Sequence, residues 1–444
     1  MAANQKLTTI PGHFLLGNMR EFNDDTLRFL LYSRQFGDMI TARFGPAKLY
    51  LLNHPDLIHE VLVSKASHFY KSSILKQALG PVIGEGLFTS DGDFWKRQRK
   101  LAQPAFHTKR ISNYAETMVD CSETLIQGWH ENATLDVEKE MSDVTIQVVA
   151  KTMFGSEVAG IETLIHEVRV LLKIMDARFS RLFQIPRWLP TTENRSLAAT
   201  MSSMNRLIQG FIETRRESEE DSGDLLSMLL MARDEDNGER MSDKHLRDEL
   251  MTIFGAGHET TATTLTWVWY VLATHPEIEA KLHAELDNVL QGRRPTMEDL
   301  PRLSYTSQVI KEAMRLYPPA FATSRDSIDE TEIGGITFPK GTSFFINIYG
   351  MHRDSRFFAN PDVFDPQRFS PENEKTIDKN AYLPFGSGPR VCIGNAFAMM
   401  EARLLLATMA QQYRLTLPAD MKVEPARRFT LRPRNGLRMV AHKR

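Results

Sequence analysis

One segment constrains the fold more than any other. From Asp243 to about Thr274 the chain is apolar on nearly every side, and Pro276 marks its end. A helix hydrophobic all round either spans a membrane or lies at the centre of a large domain. Gly255, Gly257, His258 and Glu259 stand at its midpoint. Charge there is costly in lipid and the flanks carry no anchor pattern, so a buried central helix is expected. With 444 residues, 42% of them hydrophobic, the chain can surround such a helix. Length alone suggests two or three domains. No Pro-, Gly- or Ser-rich linker divides the sequence, so a single domain over residues 1–444 is the expectation. Within the helix, Thr260 and Thr261 carry hydroxyls that compete for backbone carbonyls and can widen a turn. The carboxyl of Glu259 beside the hydroxyl of Thr260 is chemically suited to proton delivery.

A second stretch carries chemistry: Phe385-Gly-Ser-Gly-Pro-Arg390-Val-Cys392-Ile-Gly394. A thiolate near positive or donor groups stays ionised and becomes a strong, soft metal ligand. Arg390 supplies charge, the glycines let N–H groups come close, and Gly394 is expected to allow a tight exit. The helical run that follows at Asn395 would further favour a negative sulfur. A lone cysteine is otherwise a small buried hydrophobe. Gly-Ser-Gly also suits a phosphate nest, but no strand–GxGxxG–helix pattern surrounds it.

Two pairings and a basic patch join these. Trp95 and Arg99 lie at i,i+4 and share a helix face, ordinarily a packed Trp beside a solvated Arg. Glu312 and Arg315 face one another at i,i+3, a spacing most often seen on surfaces. Lys96, Arg97 and Lys100, with Lys109 and Arg110, form a basic patch. It reads equally well as a solvated face or as a docking surface for an acidic partner. Met39–Phe44 and Lys48–Leu52 read as a hairpin, and Ile333-Gly-Gly-Ile336 as a tight turn. Lys48 and Tyr50 are candidates for a ligand carboxylate at a channel mouth, against a plain solvated edge strand. Asp91 or Asp93 is expected to cap the helix near Trp95. Arg178-Phe-Ser-Arg-Leu-Phe183 is read as a roof over an apolar pocket.

The pattern Phe-x-x-Gly-x-Arg-x-Cys-x-Gly resembles the haem-ligand loop of the cytochrome P450 monooxygenases. Trp95-x-x-x-Arg99, Ala256-Gly257-x-Glu259-Thr260-Thr261 and Glu312-x-x-Arg315 precede it in the family's order, so the resemblance covers nearly the whole chain. It implies a mainly α fold with a small β-rich region, with haem buried between the central long helix and the Cys-loop helix. It implies haem b ligated by Cys392 and held by Phe385, Arg390 and Gly394, with Trp95, Arg99 and Arg325 reaching the propionates. Thr260 would hydrogen-bond dioxygen, and Glu259 and water would relay protons. Arg368 would join Glu312 and Arg315 in a buried structural network. Phe88, Phe254, Ala256 and Phe321 are the expected pocket lining.

The reaction so implied inserts one atom of O2 into a C–H bond or double bond of a hydrophobic substrate such as a fatty acid or terpenoid. Electrons would come from NAD(P)H through a separate ferredoxin or flavodoxin-type donor docking near Lys96, Arg97 and Lys100. Gly86-Leu-Phe-Thr-Ser90 and Ala256-Gly-His-Glu-Thr-Thr261 look most like the haem domain of bacterial fatty-acid hydroxylases that carry a fused reductase. The alternatives are a peroxide-driven peroxygenase, which Glu259-Thr260 argues against, and a non-catalytic haem sensor.

Composition adds exclusions. A net charge of −2 gives no reason to expect nucleic acid. Cys121 and Cys392 cannot build a disulfide framework, and Cys121 is expected in the core. The polar N-terminus reads as neither signal peptide nor anchor. A cytoplasmic monomer without a membrane anchor is the expectation.

Overall fold

The computed structural model describes residues 7–155, 160–179, 186, 188–218, 222–234 and 238–444. These are mainly helical, with short strands. They gather into two units: the described residues within 7–76, 308–392 and 424–434 form one, and those within 77–307, 393–423 and 435–444 the other.

The first unit is built on a five-stranded sheet. Its order is Met39–Phe44, Ala47–Leu52, Ser343–Ile346, Thr323–Ser327 and Phe69–Lys71. The first two strands form the expected hairpin, with Gly45 at φ 62° in its turn. Ala47–Leu52 then runs parallel to Ser343–Ile346, so it lies inside the sheet and is not an edge. This corrects the reading of Tyr50: its ring packs edge-on against Phe338 at 4.8 Å, while Lys48 stays exposed. Ile333-Gly-Gly-Ile336 is a two-residue hairpin turn, with Gly334 at φ 57° and Gly335 at φ 76°. A turn with two positive φ angles matches the natural twist of the flanking strands, and glycine adopts it at no steric cost. Beneath the sheet, Leu52, Ile58, Phe69, Phe344 and Phe358 form one apolar cluster.

The second unit is built around the helix Asp243–Thr274. Ser242 starts it by accepting a hydrogen bond from the N–H of His245, and Pro276 opens the next helix, Pro276–Leu290. Its flanks bury on all sides, Trp267 and Trp269 completely. It packs chiefly on Val137–Phe154 and also on Asn395–Gln412. The helix runs unbroken through Gly255 and Gly257. The threonine hydroxyls bond back one turn: Thr260 to Ala256 O at 3.0 Å and Thr264 to Thr260 O at 2.9 Å. The expected widening of this turn is therefore not present; the hydroxyls are satisfied within the helix.

Asp91 does occupy the position before the helix Gly92–Ala102, but its side chain makes no capping bond there. Cys121 is buried, as expected, and burial pushes its thiol up to about 11. Residues 180–183 of the aromatic stretch lie outside the described residues. Among the described residues no helix is long and apolar enough to cross a membrane.

Candidate active site

The Cys392 loop is shaped by its backbone. The N–H of Cys392 donates to the carbonyl of Phe385 at 2.9 Å, and that of Gly386 to Leu383 at 3.2 Å. Gly386 and Gly388 take φ values of 73° and 71°, in the left-handed region. A Cβ at Gly388 would stand 1.9 Å from the carbonyl oxygen of Leu62, so only glycine fits. Gly394 is different: its φ of −90° is open to any residue, so the tight exit expected there does not draw on glycine's conformational freedom. The result is an exposed thiol at Cys392, in contrast to buried Cys121. Phe385 and Arg390 are half-buried on the same loop.

Behind the loop lies a polar network. Glu312 and Arg315, on the helix Ser304–Leu316, are fully buried and paired through two bonds of 2.8 Å. Arg368 reaches Glu312 at 3.4 Å, completing the expected trio. The other donors of Arg315 bond the carbonyls of His352 at 2.7 Å and Pro361 at 2.6 Å. His352 then accepts from the N–H of Leu383 at 2.8 Å. Burial, reinforced by the charge of Arg315, holds this imidazole down at about 3, so it is neutral and free to accept. A chain of bonds thus runs from Glu312 through Arg315 and His352 to the base of the Cys loop. Sequence reasoning missed His352 because a lone histidine in an irregular stretch carries no pattern.

On the central helix, burial is interrupted along one stripe. Ala256 is exposed and Ile253 and Thr260 are half-buried, while Leu250, Phe254, His258 and Glu259 are buried. Positions 253, 256 and 260 share one helical face. Phe254 points the other way, its ring 6.3 Å from that of Phe154, because two residues turn a helix by about 200°. This corrects the assignment of Phe254 to the pocket; Ile253 holds the position that faces outward with Ala256. Glu259 is buried with its carboxylate 4.0 Å from His258 Nε2. Glu401, on the helix Asn395–Gln412, is fully buried. Burial pushes its carboxyl up to about 8, and the nearby Thr261 hydroxyl opposes that shift without cancelling it. No sequence motif singled it out.

The remaining candidates divide. Trp95 is buried and Arg99 half-buried on Gly92–Ala102, and Phe88 is half-buried in the preceding loop. Arg325 is buried, its guanidinium 3.1 Å from Thr323 Oγ1 and 2.9 Å from Ser324 O. Phe321 packs against the cluster that holds Tyr349 and Leu431. In the basic patch, Arg97 is already taken: it pairs with Asp234 at 2.6 Å and Glu239 at 2.9 Å. This removes it from a docking surface, since a satisfied, partly buried cation gains little from a new partner. Lys96, paired with Asp93, and Lys100, Lys109 and Arg110 are exposed.

The donor set has a clear character. An exposed thiol offers a soft anionic ligand, buried or half-buried arginines offer forks for carboxylates, and the stripe of Ile253, Ala256 and Thr260 offers a wall with one hydroxyl. Residue types of these kinds suit a large flat metallocofactor with carboxylate arms, and they stand in a mainly helical fold. The family profile described as Cytochrome P450 matches residues 8–439. Cyclooctatin synthase of Streptomyces melanosporofaciens is 39% identical over 98% of this chain and 96% of its own. Cyclooctat-9-en-7-ol 5-monooxygenase of the same organism is 37% identical over 92% of this chain and 89% of its own. The crystal structure of the cytochrome P450DA heme domain superposes with a TM-score of 0.89, at 27% identity, covering 99% of this chain and 98% of that one. The chain belongs to the cytochrome P450 family and is a P450 monooxygenase, an enzyme class that implies haem, a redox partner and a small-molecule substrate.

Proposed function

We propose that this monooxygenase oxidises a bulky, cyclic, apolar substrate, with Cys392 as the ligand of haem b. The observation that carries the reading is the exposed thiol of Cys392, presented by a loop that two left-handed glycines and the Phe385 carbonyl hold in shape. Haem b, once bound through this thiolate, supplies the oxidant for unactivated C–H bonds, electron donation from sulfur favouring O–O cleavage. The chain's own residues do the rest. Arg390 and the loop N–H groups favour the ionised sulfur, with Phe385 and Gly394 flanking it. Trp95, Arg99 and Arg325 take the propionates, the arginines by bidentate pairing.

Thr260 Oγ1 now donates to Ala256 O at 3.0 Å. Rotation about one side-chain bond redirects that proton to the dioxygen substrate. Glu259 and water relay the replacing proton, and the burial of Glu259 limits free access of solvent to the transfer. Phe88, Ile253, Ala256 and Phe321 line the substrate space. Electrons originate at NAD(P)H and arrive through a ferredoxin- or flavodoxin-type protein that docks at Lys96, Lys100, Lys109 and Arg110, steered by charge.

Two observations favour a cyclic hydrocarbon skeleton over a fatty acid. One relative is named for the oxidation of cyclooctat-9-en-7-ol, an alkenol. And of the two candidate anchors for a carboxylate, the Tyr50 ring is packed against Phe338, which leaves Lys48 alone exposed. The reading is tested by the absorption spectrum of the reduced, carbon monoxide-saturated protein beside a Cys392→His variant. A strongly red-shifted Soret band present in the wild type and lost in the variant is expected. The same band from both proteins overturns Cys392 as ligand.

A further inference from the structure

The loop that carries Phe88 is fastened to the central helix by two neighbouring acids. Asp248 Oδ2 accepts the N–H of Glu85 at 2.9 Å, and Glu249 Oε2 accepts the N–H of Leu87 at 3.0 Å. The loop lies hard against the helix. A Cβ at Gly84 would stand 2.1 Å from the carboxyl carbon of Asp248, and one at Gly86 would stand 2.1 Å from Thr252 Oγ1. Gly84 also takes φ 67°. Leu87, Thr89 and Ser90 are buried, and Phe88 between them is not.

The two acids are not equivalent. Asp248 is balanced by Arg247, whose Nη1 lies 2.6 Å from Oδ1. Glu249 is 1% exposed, and its second oxygen makes no hydrogen bond among the described residues. Burial, aided by the charge of Asp248, raises its carboxyl to about 7, against the opposing bond from Leu87. A half-satisfied buried carboxyl is a poor stabilising device; an apolar side chain of similar size would suit the packing better. Such departures from good packing concentrate where function needs them. The position of Glu249 fits this. Residues 249, 253, 256 and 260 recur at helical spacing, so Glu249 stands at one end of the stripe that carries Ala256 and Thr260. The bond to Leu87 is one residue from Phe88.

We infer that Glu249 is a specificity-positioning residue. By holding the Leu87 N–H, it fixes Phe88 at the end of the stripe and so sets how a bulky apolar ligand lies along it. The inference rests on the reading of Phe88 as pocket wall. It assigns Glu249 no contact with substrate, since its side chain acts through the loop backbone.

The test uses the haem-loaded enzyme with Glu249→Gln, Glu249→Leu, Glu249→Met and Phe88→Ala. Two measurements are made: hydrogen exchange of the Leu87 amide, and the affinity ratio of 4-phenylimidazole to imidazole by absorption titration. Gln keeps an acceptor and should stay near wild type in both. Leu, or Met should Leu fail to fold, should speed Leu87 exchange about tenfold or more, the scale of one lost hydrogen bond. It should also shift the affinity ratio in the direction that Phe88→Ala does. If exchange rises but the ratio stays at the wild-type value while Phe88→Ala moves it, Glu249 is structural only and the inference fails. If Phe88→Ala itself leaves the ratio unchanged, the pocket reading fails and takes the inference with it. If Leu87 exchange is unaltered, the clamp does not act in solution.

Discussion

The imidazole of His352 accepts a hydrogen bond from the backbone N–H of Leu383 at 2.8 Å, two residues before the loop that presents Cys392 begins. The ring's other nitrogen stands 3.2 Å from the carbonyl of Arg315. One neutral side chain thereby connects the buried Glu312–Arg315 pair to the Cys loop. A protonated ring would lose the acceptor and place a second cation beside Arg315.

The pH dependence follows from that neutrality. The folded-state value of about 3 lies below the ordinary 6.5, so the unfolded chain binds the extra proton first. His352 therefore contributes stability that is present above pH 6.5 and lost as pH falls toward 3, by up to about 1.4 kcal/mol per pH unit. Denaturant unfolding of His352→Asn between pH 3 and 7 should show a shallower acid loss than wild type. Parallel curves would mean that another group governs acid unfolding.

Glu401 acts in the opposite sense. Its folded value of about 8 lies above the ordinary 4.5, so its contribution is full below pH 4.5 and declines as pH rises through 8. Glu401→Gln, neutral at every pH, should gain thermal stability relative to wild type as pH is raised from 5 to 9. A stability difference independent of pH would show that Glu401 is not protonated in the folded enzyme at neutrality.

Glu312→Ala leaves Arg315 buried without its partner. Breaking one side of a buried pair costs about 3–5 kcal/mol, a large fraction of a typical fold's stability. The variant should be recovered in low yield, with a lower thermal midpoint and depleted haem. Wild-type unfolding would show the trio to be dispensable.

Thr260→Ala removes the hydroxyl proposed to hand a proton to dioxygen. Product formed per NAD(P)H consumed should fall by about a hundredfold, the low end of what one positioned acid contributes, with hydrogen peroxide rising in its place. Equal coupling in variant and wild type would remove Thr260 from proton delivery.

Phe88→Ala enlarges the space beside the stripe. The distribution of oxidised positions on a cyclic terpene substrate should change while total turnover stays within a few-fold, because a pocket wall orients without taking part in chemistry. An unchanged distribution would place Phe88 outside the pocket.

The sequence by itself determined the elements whose signal is local. The central helix is legible because an all-round apolar run has few places to go, and its end at Thr274 follows from Pro276. The Gly334-Gly335 turn is legible because few other residues tolerate two positive φ angles in succession. The Cys loop and the Glu312–Arg315 pair are legible because their chemistry depends on residues a few positions apart. Only the tertiary structure decided matters of direction and burial. Phe254 and Ala256 are two residues apart, yet one is core and the other exposed, since only the packed neighbours say which face of an apolar helix is covered. Arg97 looked available until Asp234 and Glu239, some 140 positions later, were seen to claim it. His352, Glu249 and Glu401 carry no spacing of their own. Their shifted acidities come from desolvation and from partners brought near by folding, and a linear pattern records neither.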